Sequence, residues 1–223
     1  MTLCLDAMTH FLDAHTHTCR RNAVVNLDPV SAPEARLEAP YVYSVGIHPW
    51  NASRVTPEAL DRLGELALSP RVVAIGETGI DLIHEGVAVA DLDCQLELLR
   101  RHVALSEETA KPLLLHIVRR FAEIIALRRT LNPMQPWIIH GFRGKPELAR
   151  QLLNQGFFLS FGAKANPSSV AVTPPSRLLV ETDESPLTVD EIASALGVDV
   201  CAQNVAFQTG QFGALDGAPL EES

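Results

Sequence analysis

Residues 11–17 read FLDAHTH, an apolar lead into an acid and two histidines one residue apart. Read as the end of a strand, this places Asp13, His15 and His17 on one face. The two imidazoles can then point at one ion while Asp13 supports them from just below. The same device recurs along the chain, as VVAIGE at 72–77, PLLLHIV at 112–118, PWIIHG at 136–141 and RLLVETD at 177–183. Each short apolar run ends at or just before a side chain that metals favour. In a parallel α/β barrel the residues that carry chemistry sit where strands end, so ligands distant in sequence converge on one rim. His15, His17, Glu77, His116, His140 and Asp183 are the candidate ligands, and a TIM-like (β/α)8 barrel is the expected fold.

Periodicity and turn signals predict strands at 11–14, 23–27, 41–46, 71–75, 112–116, 136–139, 157–160 and 177–180. Helical patterns at 57–68, 92–108, 120–129 and 146–154 fall between them, and another follows at 189–196. Thr56 is a suitable N-cap with Pro57 in the first turn, and Gly156 suits a helix end. The segment TCRR at 18–21 is too short for a helix, so the barrel is expected to be reduced in its first crossovers. At 223 residues the chain accommodates a single barrel domain over 1–223 and no second one. The tail at 210–223 is expected to be poorly ordered.

A hydrophobic content of 47% with 20% charged residues describes an ordinary globular chain. No apolar run approaches the roughly 20 residues of a membrane span, so no membrane association is expected. The opening MTLCLDAMTHFLDAH has no basic leader, so no cleaved signal peptide and a cytoplasmic location are expected. Cys4, Cys19, Cys94 and Cys201 are scattered without a CxxC pair, which suits reduced thiols. The net charge of −9 argues against a broad basic face for nucleic acid. Divalent cations in a cleft would reverse that field locally. No protein partner is evident.

Each motif also has a plain structural reading. Two histidines on one strand face can be a solvated edge, and a lone histidine after PLLL or WII can be a hydrogen-bonded core residue. Glu77, between Gly76 and Gly79, can be a turn glutamate, or its two oxygens can bridge two cations. The glycines are expected to hold the turn open. Asp81 can orient a ligand or cap a helix. Imidazoles with carboxylates admit zinc, manganese or magnesium, one ion or two. Asp183 can ligate a metal and take a proton from metal-bound water, whose pKa falls towards about 7. Glu77 and Asp183 are thus the catalytic candidates. Arg119, Arg143 and Lys145 are candidates for phosphate, with solvated surface charge as the alternative for each. Arg120 invites the same two readings. His48 in VGIHPW either positions substrate or braces its turn. His10, His84 and His102 have no comparable context and are expected to be incidental.

Taken in order, these segments resemble the TatD family of metal-dependent hydrolases and deoxyribonucleases. DAHTH is similar to its opening HxH, VGIHPW to its GxHP loop and IGETGID to its GExGLD signature. LLLH matches the middle histidine, IIHGFRG the HxFxG motif and ETDESP the closing ETDxP. The resemblance covers about residues 11–187. It implies a barrel with a divalent metal centre held by His15, His17, Glu77, His116, His140 and Asp183, with Asp183 at the position that activates water. Three departures touch substrate handling. GIDLIH stands where the family commonly has GLDYY, Arg119 in HIVRR only approximates an HxR arginine, and ETDESP carries an extra residue before its proline.

The expected function is hydrolysis of phosphodiester bonds in DNA by a metal-activated water. With so few aromatic residues, stacking on bases is expected to be weak and sequence preference slight. Two alternatives belong to other classes. One is an amidohydrolase-like enzyme on a small metabolite, a group in which a modified lysine often bridges the metals. The other is a non-catalytic metal-binding scaffold.

Overall fold

The computed structural model describes residues 13–83 and 92–198. Eight strands run in sequence: β1 (Asp13–Thr16), β2 (Ala23–Leu27), β3 (Val42–Val45), β4 (Val72–Ile80), β5 (Leu113–Ile117), β6 (Trp137–Ile139), β7 (Phe158–Phe161) and β8 (Leu178–Val180). Each pairs in parallel with the next, in the order β1 to β8. A bridge between Thr16 and Asp183 closes the ring, and the Asp183 N–H donates to the His15 carbonyl at 2.9 Å. The side chain of Asp13 reinforces this seam. It accepts the Thr182 N–H at 2.9 Å and the Thr182 hydroxyl at 2.6 Å. This is the TIM-like barrel that the strand-end pattern predicts. Residues 11 and 12 of the first expected strand lie outside the described residues, as do His10, His84, Cys4, Cys201 and the tail at 210–223.

Among the described residues six α-helices accompany the strands: α1 (Pro57–Ala67), α2 (Leu92–Thr109), α3 (Phe121–Leu131), α4 (Pro146–Asn154), α5 (Pro167–Ala171) and α6 (Val189–Leu196). Thr56 caps α1 as expected, accepting the Ala59 N–H, with Pro57 in the first turn. Gly156 follows α4 with φ 81°, the left-handed conformation that favours glycine. The first two crossovers contain no helix among their described residues, which is the predicted reduction. Among the described residues three short helices escape a periodicity argument, the 3-10 turns over Pro49–Arg54 and Pro175–Arg177 and the five-residue α5. Each is too short to show a repeat, although Asn166 before Pro167 is a legible N-cap signal. Among the described residues no helix is long and apolar enough to cross a membrane. Cys19 is exposed, and the Cys94 thiol donates to the Ala52 carbonyl at 3.6 Å.

β4 departs most from expectation, since it continues through the two glycines to Ile80. Ile75 pairs with Leu113 but Thr78 pairs with Leu115, so β4 carries one extra residue there. That bulge reverses the alternation of side chains and turns Glu77 inward. Gly76 and Gly79 therefore do not open a turn. A Cβ on Gly76 would fall 2.3 Å from the Leu114 carbonyl oxygen, and one on Gly79 would fall 2.0 Å from that of His116. Their lack of a side chain allows β4 to lie against β5.

The strands separate two apolar layers. The larger lies between barrel and helices and includes Leu99, Leu113, Leu115, Ile124, Trp137 and Leu152. The smaller joins Ala14, Val24, Ala74, Leu114, Ile138, Phe158 and Leu179. Two residues further along from Val24, Leu114, Ile138, Phe158 and Leu179 stand Asn26, His116, His140, Ser160 and Glu181. Alternation places these polar groups on the same inward face, one layer above the apolar plug. The functional layer thus rests on a packed floor.

Candidate metal centre

Glu77 stands at the middle of that polar layer, buried in β4. Its Oε2 is 3.5 Å from Nε2 of His15 and 3.5 Å from Nε2 of His17. Its Oε1 is 2.7 Å from Nε2 of His140, 2.9 Å from Nδ1 of His116 and 3.4 Å from Nε2 of His48. Asp183 completes the first group, with Oδ1 3.8 Å from His15 Nε2 and 3.5 Å from His17 Nε2. All six predicted ligands therefore meet, and the two oxygens of one carboxylate face two sets of imidazoles that adjoin at His15 and His140. His48 joins the second set. Sequence reasoning left that residue between a substrate contact and a turn brace.

The chemistry of these groups fits divalent cations. Both ring nitrogens of His15 are buried without a hydrogen-bond partner. An unpaired buried polar atom is costly, and a cation at Nε2 would satisfy it. Burial, reinforced by the charge of His140, pushes the His15 pKa down to about 3, so its imidazole is neutral and ready to ligate. His140 moves the other way. Burial pulls it down, but Glu77 and Glu181 outweigh burial and hold it well above its ordinary value. Its nitrogens face Glu77 at 2.7 Å and Glu181 at 3.3 Å, so the metal-free site carries a proton where positive charge is needed. Binding a metal would release it. Burial raises the Glu77 carboxyl, yet the charge of His140 and hydrogen bonds from His116, His140 and His48 hold it well below its usual range. Burial, with Glu181 and Glu77 nearby, raises Asp183.

Several supports were not singled out from sequence. Asn26 accepts the Glu77 N–H at 2.9 Å and the Ser44 hydroxyl at 3.2 Å, and its amide donates to Glu77 Oε2 at 3.4 Å. Glu181, fully buried, accepts the Gly141 N–H at 2.6 Å and the Ser160 hydroxyl while facing His140. Both were legible in part, as the one polar residue of AVVNL and as the acid two places before Asp183. Asp81 lies where it can orient the ring of His116. It lies 3.2 Å from Nε2 of His116 and accepts the Trp50 indole N–H at 2.8 Å. Asp28 accepts the backbone N–H groups of Val30, Ser31 and His48, tying the β2–β3 connection to the His48 loop. His102 is not incidental. It is buried, accepts the Ile47 N–H at 2.9 Å and contacts the Leu98 carbonyl at 2.8 Å, holding the same loop from behind.

The predicted phosphate contacts divide. Arg119 and Arg143 line a recess of about 300 Å³ beside His116, His140 and Asp183. Lys145 is the N-cap residue of α4 and is not part of that lining. A larger cleft of about 730 Å³ opens over β1 to β3, with His17, Glu77, Asp183, Trp50, Arg36 and Arg54 in its lining.

Residues 12–194 match the family model described as TatD related DNase. The chain belongs to this family. Among its curated relatives, the uncharacterized metal-dependent hydrolase TatD of Mycobacterium tuberculosis is 32% identical over 154 residues, 65% of this chain and 58% of that protein. A 3'-5' ssDNA/RNA exonuclease TatD of Cronobacter turicensis is 30% identical over 156 residues, 63% of this chain and 56% of that protein. The match thus spans less than two thirds of either relative. In fold, the TatD-related chain is similar to the crystal structure of YjjV, a TatD homologue from Escherichia coli, with a TM-score of 0.68 at 19% identity. That comparison covers 85% of this chain and 84% of the other.

Proposed function

We propose that this chain is a divalent-metal-dependent phosphodiesterase acting on single-stranded nucleic acid, DNA in the first instance. The division of Glu77 between two imidazole groups carries the reading, because a shared carboxylate is how a protein sets two cations side by side. His15, His17, Glu77 and Asp183 would hold one ion, and Glu77, His116 and His140 the other, with His48 within reach. When bound, such ions polarise the phosphoryl oxygens and lower the pKa of water. The imidazole-rich donor set suits zinc or manganese, with magnesium less favoured.

Asp183 is the proton acceptor in this reading. It borders the large cleft, the recess at Arg119 and Arg143, and a further recess of about 260 Å³ lined by Gly141, Lys164 and Glu184, so substrate and water reach it together. Its side chain is 28% exposed, against 3% for Glu77. Its raised pKa makes it a stronger base than an ordinary aspartate. Glu77 keeps the two sets in register, Asp81 and Glu181 fix the rings of His116 and His140, and Arg119 and Arg143 face the phosphate from the β5–β6 side. Trp50, held by Asp81, supplies one aromatic surface in a chain with few.

The relative named as an exonuclease supports the substrate class. An amidohydrolase-like reading is less well supported. No lysine lines the cleft that Glu77 borders among the described residues, and the Glu77 carboxylate faces both sets of imidazoles. The test is hydrolysis of 5′- and 3′-labelled single-stranded DNA after chelation and re-addition of zinc, manganese or magnesium, with Asp183→Asn alongside. Cleavage that requires metal and falls by at least about 100-fold in the variant is expected. Metal binding without cleavage would sink the nuclease assignment, and a function that survives Asp183→Asn would favour a scaffold.

A further inference from the structure

The larger cleft extends over the side of the barrel where no phosphate contact was predicted. Its lining includes both residues of the metal centre and the two arginines Arg36 and Arg54. The shape follows from the reduced crossover. Residues 28–41 connect β2 to β3 without a helix, and a chain of local bonds folds them against the rim. The Ala32 N–H donates to the Asp28 carbonyl at 2.9 Å and the Ala35 N–H to the Ala32 carbonyl at 3.1 Å. Arg62 of α1 then binds the Ala35 carbonyl at 3.3 Å, fixing the backbone immediately before Arg36. Arg54 ends the 3-10 turn that follows His48. Two cations on separate, anchored segments thus face one cleft.

Their charge is available to a ligand. Arg54 donates to the neutral side-chain oxygen of Asn51 at 3.3 Å and, like Arg36, enters no ion pair among the described residues. Three carboxylates also border the cleft beyond the ligand set: Asp28, Glu38 and Glu184. Asp28 is occupied by four donors, the N–H groups of Val30, Ser31 and His48 and the amide of Asn51. Glu38 and Glu184 are exposed and screened by solvent. In a chain of net charge −9, paired arginines in the cleft that contains the ligand set are a specific local feature.

We infer that Arg36 and Arg54 form a backbone-phosphate subsite on the β1–β3 side of the centre, which makes the preferred substrate an oligonucleotide chain and not an isolated phosphodiester. This rests on the phosphodiesterase reading above. The scissile phosphate would lie at the ligand set, and the phosphates next to it along the strand would meet the two guanidiniums. Guanidinium donors match phosphate oxygens in pairs, which a lysine cannot reproduce.

The test uses the full chain with Arg36→Gln, Arg54→Gln and the double variant. Arg150→Gln, an exposed change on α4, controls for net charge. Binding of a fluorescein-labelled single-stranded oligonucleotide is followed by anisotropy across a salt series in the metal-free protein. Hydrolysis of the same oligonucleotide and of bis(4-nitrophenyl) phosphate is measured with manganese. Each arginine variant is expected to bind about ten-fold more weakly, and its salt dependence should be shallower by about 0.7 per lost contact. Oligonucleotide kcat/KM should fall in parallel while hydrolysis of the small diester is unchanged. Equal losses on both substrates, unchanged oligonucleotide binding, or no binding by the unmodified protein would each overturn the subsite. Arginine-dependent binding without hydrolysis of either substrate would overturn the phosphodiesterase reading and leave the subsite standing.

Discussion

His102 shows how a single buried ring shapes the site without touching it. Its Nε2 accepts the Ile47 N–H, so Nδ1 must carry the proton that faces the Leu98 carbonyl, and the ring must be neutral. Burial pushes its pKa down to about 4. In the unfolded chain it returns to about 6.5, so the unfolded state takes up a proton first as pH falls. The stabilisation is complete above about pH 6.5 and is lost as pH falls towards 4, where the gap corresponds to about 3 kcal/mol. His102→Gln should therefore lower stability at pH 7 and show a smaller further loss by pH 5. Urea midpoints at both values, with chelator present, measure the difference. Equal pH slopes in the two proteins would refute the assignment.

At the scale of elements, the bulge of β4 and its contact with β3 place the central carboxylate. A Cβ added to Gly46 would lie 2.4 Å from the Gly76 Cα and 2.7 Å from the Glu77 carbonyl oxygen, both backbone atoms that cannot turn aside. Gly46→Ala should thus push the bulge away from β3. Overpacking of this kind costs about 1–3 kcal/mol, and the larger effect should fall on metal affinity because Glu77 moves with the backbone. Calorimetric titration with zinc, set beside the thermal midpoint, separates the two. Loss of stability with unchanged affinity would show that Glu77 does not depend on this contact. The sequence marked the glycines as important, but it suggested an open turn. Whether a Gly-Glu-Thr-Gly segment turns or continues as a strand is decided by the register of β5, which lies far away in sequence.

For the whole molecule, closure of the ring and occupation of the centre are linked through β1 and β8. Asp13 below the ligands bonds Thr182, and Asp183 bonds the His15 backbone. Thr182→Val leaves one oxygen of a buried carboxylate without its hydroxyl partner, a loss of about 1–3 kcal/mol. Native-state hydrogen exchange should quicken in β1 and β8 before the other strands. Uniform acceleration would mean that the seam has no separate stability. Metal should act in the opposite sense, because a cation that binds only the closed ring stabilises it by mass action. At about 100 times the dissociation constant the gain is about 2.7 kcal/mol, or about 5–10 °C in Tm for a chain of this size. Scanning calorimetry with zinc or manganese against chelator measures it, and an unchanged midpoint would contradict a centre built across the seam.

Strand positions, the reduced first crossovers and the six ligand candidates were legible in the sequence because each is marked locally, by an apolar run and the residue that ends it. Tertiary structure alone decided the division of Glu77 between two imidazole sets, the support from Asn26 and Glu181, the part played by His102, and the side on which the large cleft opens. Each of these depends on contacts between segments far apart along the chain. A pattern of neighbouring residues records which face a side chain takes, but the group it meets there is set by how the other strands close around it.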